Sequence, residues 1–198
     1  MRLILASNSA SRKMMLSDAG VPFVAEASGA DEEAAKAALA EAGTSPRDTA
    51  DALAELKALK VSMRHPVDLV LGSDSIVVLD DGTILDKPET REDAERHLKA
   101  MSGKTHRLIS AAVIAEGGRP VWRHVDIARL HVRTLSDDFI QTYLDAEWSV
   151  IAGCVGCFRI EGPGVQLFAR TEGSHFTILG MPLIPVLDFL RVRGILAS

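Results

Sequence analysis

Two long apolar-rich runs, THRLISAAVIAE and PVWRHVDIARLHVR, lie on either side of Gly117-Gly118. A glycine pair there supplies the positive-φ residues that a two-residue hairpin turn needs, so the runs are expected to pair antiparallel. This constrains the fold more than any other stretch: it excludes a plain parallel doubly wound sheet, although strands and helices alternate elsewhere. RLILAS reads as a short buried strand, SRKMMLSDAG as a helix stopped by Gly20, and VPFVAEA as extended. Ala-rich DEEAAKAALAEAG is helical in pattern, and SPRDTADALAELKALKVSMRH is a longer helix with Ser45 as cap and Pro46 at its first position. DLVLGSDSIVVLDDGTILDKPET divides into a buried strand, a Gly-Ser-Asp-Ser break, a second apolar run, a turn at Asp81-Gly82 and a return strand. Thr90 caps REDAERHLKAM; SDDFIQTYLDAE and PLIPVLDFLRVRG are helical and VQLFARTE is a strand. The expectation is a mixed α/β protein whose sheet contains antiparallel hairpins.

The 198 residues are 47% hydrophobic and carry a net charge of -5, which suits one domain of one or two lobes. No stretch approaches the ~18 consecutive apolar residues of a membrane span. Only four apolar residues separate Met1-Arg2 from the serines, too few for a signal-peptide core, so the expected compartment is the cytoplasm. The acidic balance argues against a nucleic-acid polymer as partner, but a small anion needs only a local cluster of cations. Cys154 and Cys157 form the only Cys-x-x-Cys. No second ligand pair stands at zinc spacing, and IAGCVGCFRIEG reads as strand and turn rather than the helix start a redox motif favours. They are read as small buried thiols.

The stretch LASNSASRKMML admits two readings. Ser9 or Ser11 caps a helix with Arg12 and Lys13 on its solvated face, or the turn holds an anion at a helix N-terminus. Ser7, Ser9, Arg12 and Lys13 follow the first strand, and Asp31-Glu32 follow the second extended stretch. Lys57 lies among apolar neighbours in a helix, and Asp74 lies between apolar runs. Lys87 sits in ILDKPE, and SGKTH spans 102–106. Two carboxylate positions for a hard cation and the four cations Arg12, Lys13, Lys57 and Lys87 for phosphate are the components of metal-assisted phosphoryl chemistry.

Arranged in this order, the motifs resemble the Maf family of nucleoside triphosphate pyrophosphatases. The matching pieces are LASNSASRK, ADE at 30–32, LAELKA at 53–58, GSDSIVVLDDGTILDKP at 72–88, LKAMSGKTH at 98–106, FRIEGPG at 158–164 and LGMPL at 179–183. Two departures stand out: Ala10 replaces the family's proline, and Val150-Ile151-Ala152-Gly153 replaces Asp-Lys-Ala-Gly. The resemblance implies a single domain over 1–198, two-lobed, built around a long curved mixed sheet like that of inosine triphosphate pyrophosphatases. It implies hydrolysis between the α and β phosphates of non-canonical nucleoside triphosphates, giving a monophosphate and pyrophosphate, in a house-cleaning role. Asp74 would accept the proton, with Lys87 and Lys57 as further catalytic residues. Glu32 and Asp74 would hold Mg²⁺ or Mn²⁺, and Ser7, Ser9, Arg12, Lys13, Ser102, Lys104 and His106 would bind substrate. A metal is needed on physical grounds as well. Aspartate, with a pKa near ~3.9, cannot deprotonate free water near ~15.7, whereas metal-bound water approaches ~7.

Ser11, Ser75 and Glu161 stand at the family's specificity positions. Phe158-Arg159-x-Glu161-Gly162 matches the 7-methylguanosine triphosphate type, and a carboxylate suits the two parallel donors of guanine. Ser11 and Ser75 depart from that type, so the expectation is a guanine-type substrate, with a dTTP/UTP pyrophosphatase of the same family as the alternative. A non-catalytic nucleotide-binding regulator of septum formation is the competing class. The physiological nucleotide, the preferred metal and homodimer formation are left open.

Overall fold

Residues 1–197 are described by a computed structural model. In chain order the elements are β1 (Leu3–Leu5), α1 (Ala10–Asp18), β2 (Phe23–Ala25), α2 (Glu32–Glu41), α3 (Pro46–Ser62), β3 (Leu69–Leu79), β4 (Ile84–Leu85), α4 (Arg91–Met101), β5 (Thr105–Glu116), β6 (Arg119–Val132), α5 (Asp137–Ile151), β7 (Phe168–Glu172), α6 (His175–Ile178) and α7 (Leu183–Val192). Single 3-10 turns lie at Val155–Cys157 and Pro163–Leu167. The strands form one mixed sheet in the order β2-β1-β3-β5-β6-β7, with β4 paired to β3. The chain divides into two units: Met1–Ser75, Ser110–Asp126 and Gly180 onward, and Ile76–Ile109 with Ile127–Leu179.

In the first unit, β1 pairs in parallel with β2 and with the start of β3, Leu3 lying opposite both Phe23 and Leu69. Parallel neighbours need crossovers, and α1 supplies one between β1 and β2 while α2 and α3 lie between β2 and β3. Ser9 caps α1, accepting from the Arg12 amide, and Ser45 caps α3 ahead of Pro46. Both glycines of the expected turn have positive φ, 56° and 74°. The Gly118 amide also donates to Ser62 Oγ at 3.0 Å, which ties the turn to the end of α3. The hairpin therefore forms where the sequence placed it.

In the second unit, β4 pairs antiparallel with Val77-Val78, and β7 pairs antiparallel with the end of β6. Thr90 and Asp93 close a capping box on α4. One core joins the faces of α4 and α5 to Val77, Leu108, Leu130 and Phe158.

Three expectations need correction. β3 is a single 11-residue strand that runs through Asp74 without a break. IAGCVGCF contains no strand: α5 continues to Ile151, and a 3-10 turn follows. VQLFARTE becomes a strand only from Phe168, because Pro163 opens a 3-10 turn that runs to Leu167 and buries Gly164. A Cβ on Gly164 would lie 2.6 Å from Arg159 O, so that segment is folded tightly under its own start. Both cysteines are free; Cys157 is buried and Cys154 half-buried. Burial pushes the Cys157 thiol up to about 12, which makes it inert rather than nucleophilic. Among the described residues, no helix is long and apolar enough to cross a membrane.

Candidate active site

Side chains alternate across a strand, so Gly72 and Asp74 share one face of β3 while Ser73 and Ser75 share the other. Gly72 decides what happens on the first face. A Cβ there would lie 2.2 Å from Ala54 O and 2.7 Å from Ala58 N, so α3 rests directly on the strand backbone. The stripe that α3 buries runs through Ala50, Leu53, Ala54, Lys57, Ala58 and Val61, and the alanines permit this approach. The same stripe carries Lys57 inward. Its Nζ lies 2.6 Å from Asp74 Oδ1 and 2.9 Å from Glu32 Oε2. Glu32 opens α2 directly after the Asp31 cap, whose Oδ1 accepts from the Ala34 amide. Asp74 and Lys57 are both buried. A charge inside a buried strand is tolerable when paired, which is why β3 does not break at Asp74.

The two carboxylates thus converge on one positive charge. Oxygen donors of this kind suit a hard divalent cation, and Lys57 shows that the pair accommodates a cation between them. Among the described residues no cluster of three or more His, Cys, Asp or Glu could hold a metal. Glu32 and Asp74 would therefore share such an ion with water and phosphate oxygens, the arrangement Mg²⁺ commonly adopts. The residues fit the group.

On the other face of β3, Arg12 is buried rather than displayed. Its Nε donates to Gly180 O at 2.9 Å, Nη2 to Ser75 Oγ at 3.2 Å and Nη1 to Ser7 Oγ at 3.5 Å. Burial lowers its pKa from the ordinary guanidinium value, while Asp74 and Glu32 oppose that shift. The capping reading of the opening turn holds for Ser9 and fails for Arg12, which is not on a solvated face. Arg12 lies in the interior, and Ser11 and Lys13 are half-buried on α1. Gly180, in the motif LGMPL, has φ 106°, and its carbonyl also receives Ser73 Oγ at 3.1 Å and Ser75 Oγ at 3.2 Å. Ser110 Oγ lies 2.8 Å from Ser75 Oγ. Sequence reasoning quoted LGMPL without assigning Gly180 a task, and it missed Ser110 entirely because a serine inside an apolar strand carries no local signal.

The remaining expected residues belong to the second unit. Lys87, Lys104 and Glu161 are exposed. Ser102 ends α4 and its hydroxyl accepts from the Leu135 amide at 2.9 Å, stitching the SGKTH turn to the chain beyond β6. His106 is 1% exposed, with Phe158 and Phe168 at centroid distances of 6.2 and 6.1 Å. Neither of its ring nitrogens has a partner in the described structure. Burial lowers its pKa from 6.5 to about 4, with Asp80 opposing and His131 adding to the shift. Its geometry is that of a core residue. Buried Glu147 accepts from Arg159 Nη2 at 3.0 Å, and this pair packs against Gly162 at the base of the turn carrying Glu161. The Cys154 thiol is raised by burial first and Glu161 next, and lowered by Arg159 and Lys87, so Lys87 and Glu161 act on one neighbourhood.

A family model described as Maf-like protein matches residues 2–193. A nucleoside triphosphate pyrophosphatase of Sphingopyxis alaskensis is 51% identical over 195 residues, covering 98% of each chain. One of Ruegeria pomeroyi is 48% identical, covering 98% of this chain and 97% of its own. One of Caulobacter vibrioides is 47% identical, covering 97% and 96%. Among solved structures, a HAM1 protein from Coxiella burnetii overlaps 67% of this chain and 73% of its own. At TM-score 0.43 and 12% identity, that likeness decides nothing.

Proposed function

We propose, for a chain that belongs to the Maf-like protein family, the hydrolysis of a nucleoside triphosphate to its monophosphate and pyrophosphate. Relatives about half identical over nearly the full length carry the name nucleoside triphosphate pyrophosphatase, which supports the activity. The observation that carries the chemistry is the convergence of buried Asp74 and half-buried Glu32 on Lys57 Nζ, at 2.6 and 2.9 Å. Asp74 accepts the proton of the attacking water. A divalent metal held by Glu32 and Asp74 supplies, when bound, a more acidic water and neutralisation of phosphate charge. Lys57 holds both carboxylates in place and adds positive charge beside them. Arg12 and Lys13 bind phosphate, with Ser7 and Ser9 at the same turn. Roles for Lys87, Ser102, Lys104 and His106 rest on the family resemblance alone.

The finer part of the proposal is a guanine-type substrate, read from Glu161. Guanine offers its N1–H and exocyclic amine side by side, and a carboxylate accepts both. A uracil edge sets one donor between acceptors that a carboxylate repels. Pyrophosphate release by the purified protein, measured across canonical and 7-methylated nucleotides with and without EDTA, tests both levels. Turnover abolished by EDTA and restored by Mg²⁺ or Mn²⁺ is expected. In Asp74→Asn, turnover falls by ~10²–10⁴ with nucleotide binding retained. Wild-type turnover by that variant overturns the role of Asp74. Nucleotide binding with no hydrolysis by the wild type favours the regulator of septum formation, and a preference for dTTP or UTP overturns the guanine reading.

A further inference from the structure

We propose that Ser75 and Ser110 are positioning residues that, with the Gly180 carbonyl, fix the orientation of the Arg12 guanidinium. The inference rests on Arg12 binding substrate phosphate. Arg12 carries five N–H donors in a rigid plane. Three are engaged inside the protein, by Gly180 O, Ser75 Oγ and Ser7 Oγ. Among the described residues this leaves two, the number that a bidentate phosphate takes.

A guanidinium on a long flexible stem presents those two donors usefully only if its plane is held. Gly180 O holds the Nε edge at 2.9 Å, and Ser75 holds the Nη2 edge. Its Oγ accepts from Arg12 Nη2 at 3.2 Å and has one hydrogen of its own to give, to Gly180 O at 3.2 Å or to Ser110 Oγ at 2.8 Å. Ser110, fully buried, therefore determines how the Ser75 hydroxyl is turned. Gly180 closes the arrangement. At φ 106° a side chain is strained there, and a Cβ would press on Ser75 Oγ at 3.3 Å and lie 3.7 Å from Arg12 Nη2. Ser75 thus acts through Arg12 and on the phosphate end of the substrate. It was expected to discriminate bases, and that becomes the competing outcome.

The test uses the full chain with S75A, S75T, S110A, R12A and the R12A/S75A pair, each checked for folding by circular dichroism. Readouts are kcat and KM for a nucleoside triphosphate, and inhibition by inorganic tripolyphosphate, which has no base. S75A is expected to raise KM and the tripolyphosphate inhibition constant about tenfold, with kcat changed less than about threefold. S75T, which keeps the hydroxyl, stays within about twofold of wild type, and S110A falls between. In the R12A background S75A adds nothing, since residues acting as one unit are non-additive. If S75A keeps its full effect in R12A, or alters the ratio of nucleotides turned over while tripolyphosphate inhibition is unchanged, the inference is overturned. If R12A alone leaves KM and tripolyphosphate inhibition at wild-type values, the phosphate role of Arg12 has failed instead, and the inference falls with it.

Discussion

His106 offers a stability experiment whose size follows from its surroundings. Its imidazole is 1% exposed, tilted between Phe158 and Phe168, and neither nitrogen has a partner in the described structure. Burial lowers its pKa from 6.5 to about 4. The folded state therefore resists protonation, while the unfolded chain takes up a proton as pH falls below about 6.5. Between these values the unfolded state binds more protons, so stability drops as the solution is acidified and levels off below about pH 4. With ~1.36 kcal/mol per pKa unit, this residue accounts for about 3 kcal/mol over the whole window and about 2.5 kcal/mol by pH 4.5. Replacing it with leucine, close in volume, removes the titration while retaining Asp80 and His131 nearby. It also removes two unpaired buried nitrogens, so His106→Leu is expected to be neutral or stabilising at pH 7. Urea unfolding of both proteins at pH 7.0 and 4.5, followed by far-UV circular dichroism, gives the comparison. Carboxylates titrate in both proteins, and the difference between them isolates the imidazole. The wild type should lose about 2.5 kcal/mol more than the variant. Parallel losses, equal within ~0.5 kcal/mol, would falsify the assignment of a neutral buried imidazole.

Gly72→Ala places a methyl 2.2 Å from Ala54 O. The forced separation of α3 from β3 should cost at least ~2–3 kcal/mol in thermal unfolding. It should also lower kcat/KM, because Lys57 moves away from Asp74; full activity with unchanged unfolding would show that the close approach is dispensable. Glu161→Gln should shift the ratio of kcat/KM values for guanine-type nucleotides over UTP towards UTP by about tenfold or more, since the amide offers a donor where the carboxylate offers none. An unchanged ratio removes Glu161 from base recognition.

Much of this architecture depends on near neighbours in the chain, and the sequence determined it alone. Gly117-Gly118 turn β5 into β6 because glycine tolerates the two positive φ angles a short hairpin demands. Ser9, Ser45 and Thr90 begin their helices because each hydroxyl lies within reach of an amide three residues on. The motifs also singled out Glu32, Lys57, Asp74 and Arg12, Lys57 and Asp74 because a charge among apolar neighbours needs a partner. The tertiary structure decided which partners those charges meet. Asp74 looked like a break in a strand because no local feature supplies its partner; Lys57 arrives from another element, and only because Gly72 admits α3 to the strand backbone. The solvated-face reading of Arg12 stayed open because its acceptor, the Gly180 carbonyl, lies 168 positions away. Ser110 carried no sign at all, and nothing near His106 in the sequence foretold the rings of Phe158 and Phe168 beside it. Turns and caps are satisfied within a few residues and leave a pattern in the sequence. A buried charge or hydroxyl is satisfied by whatever the fold carries to it, and that partner has no fixed spacing.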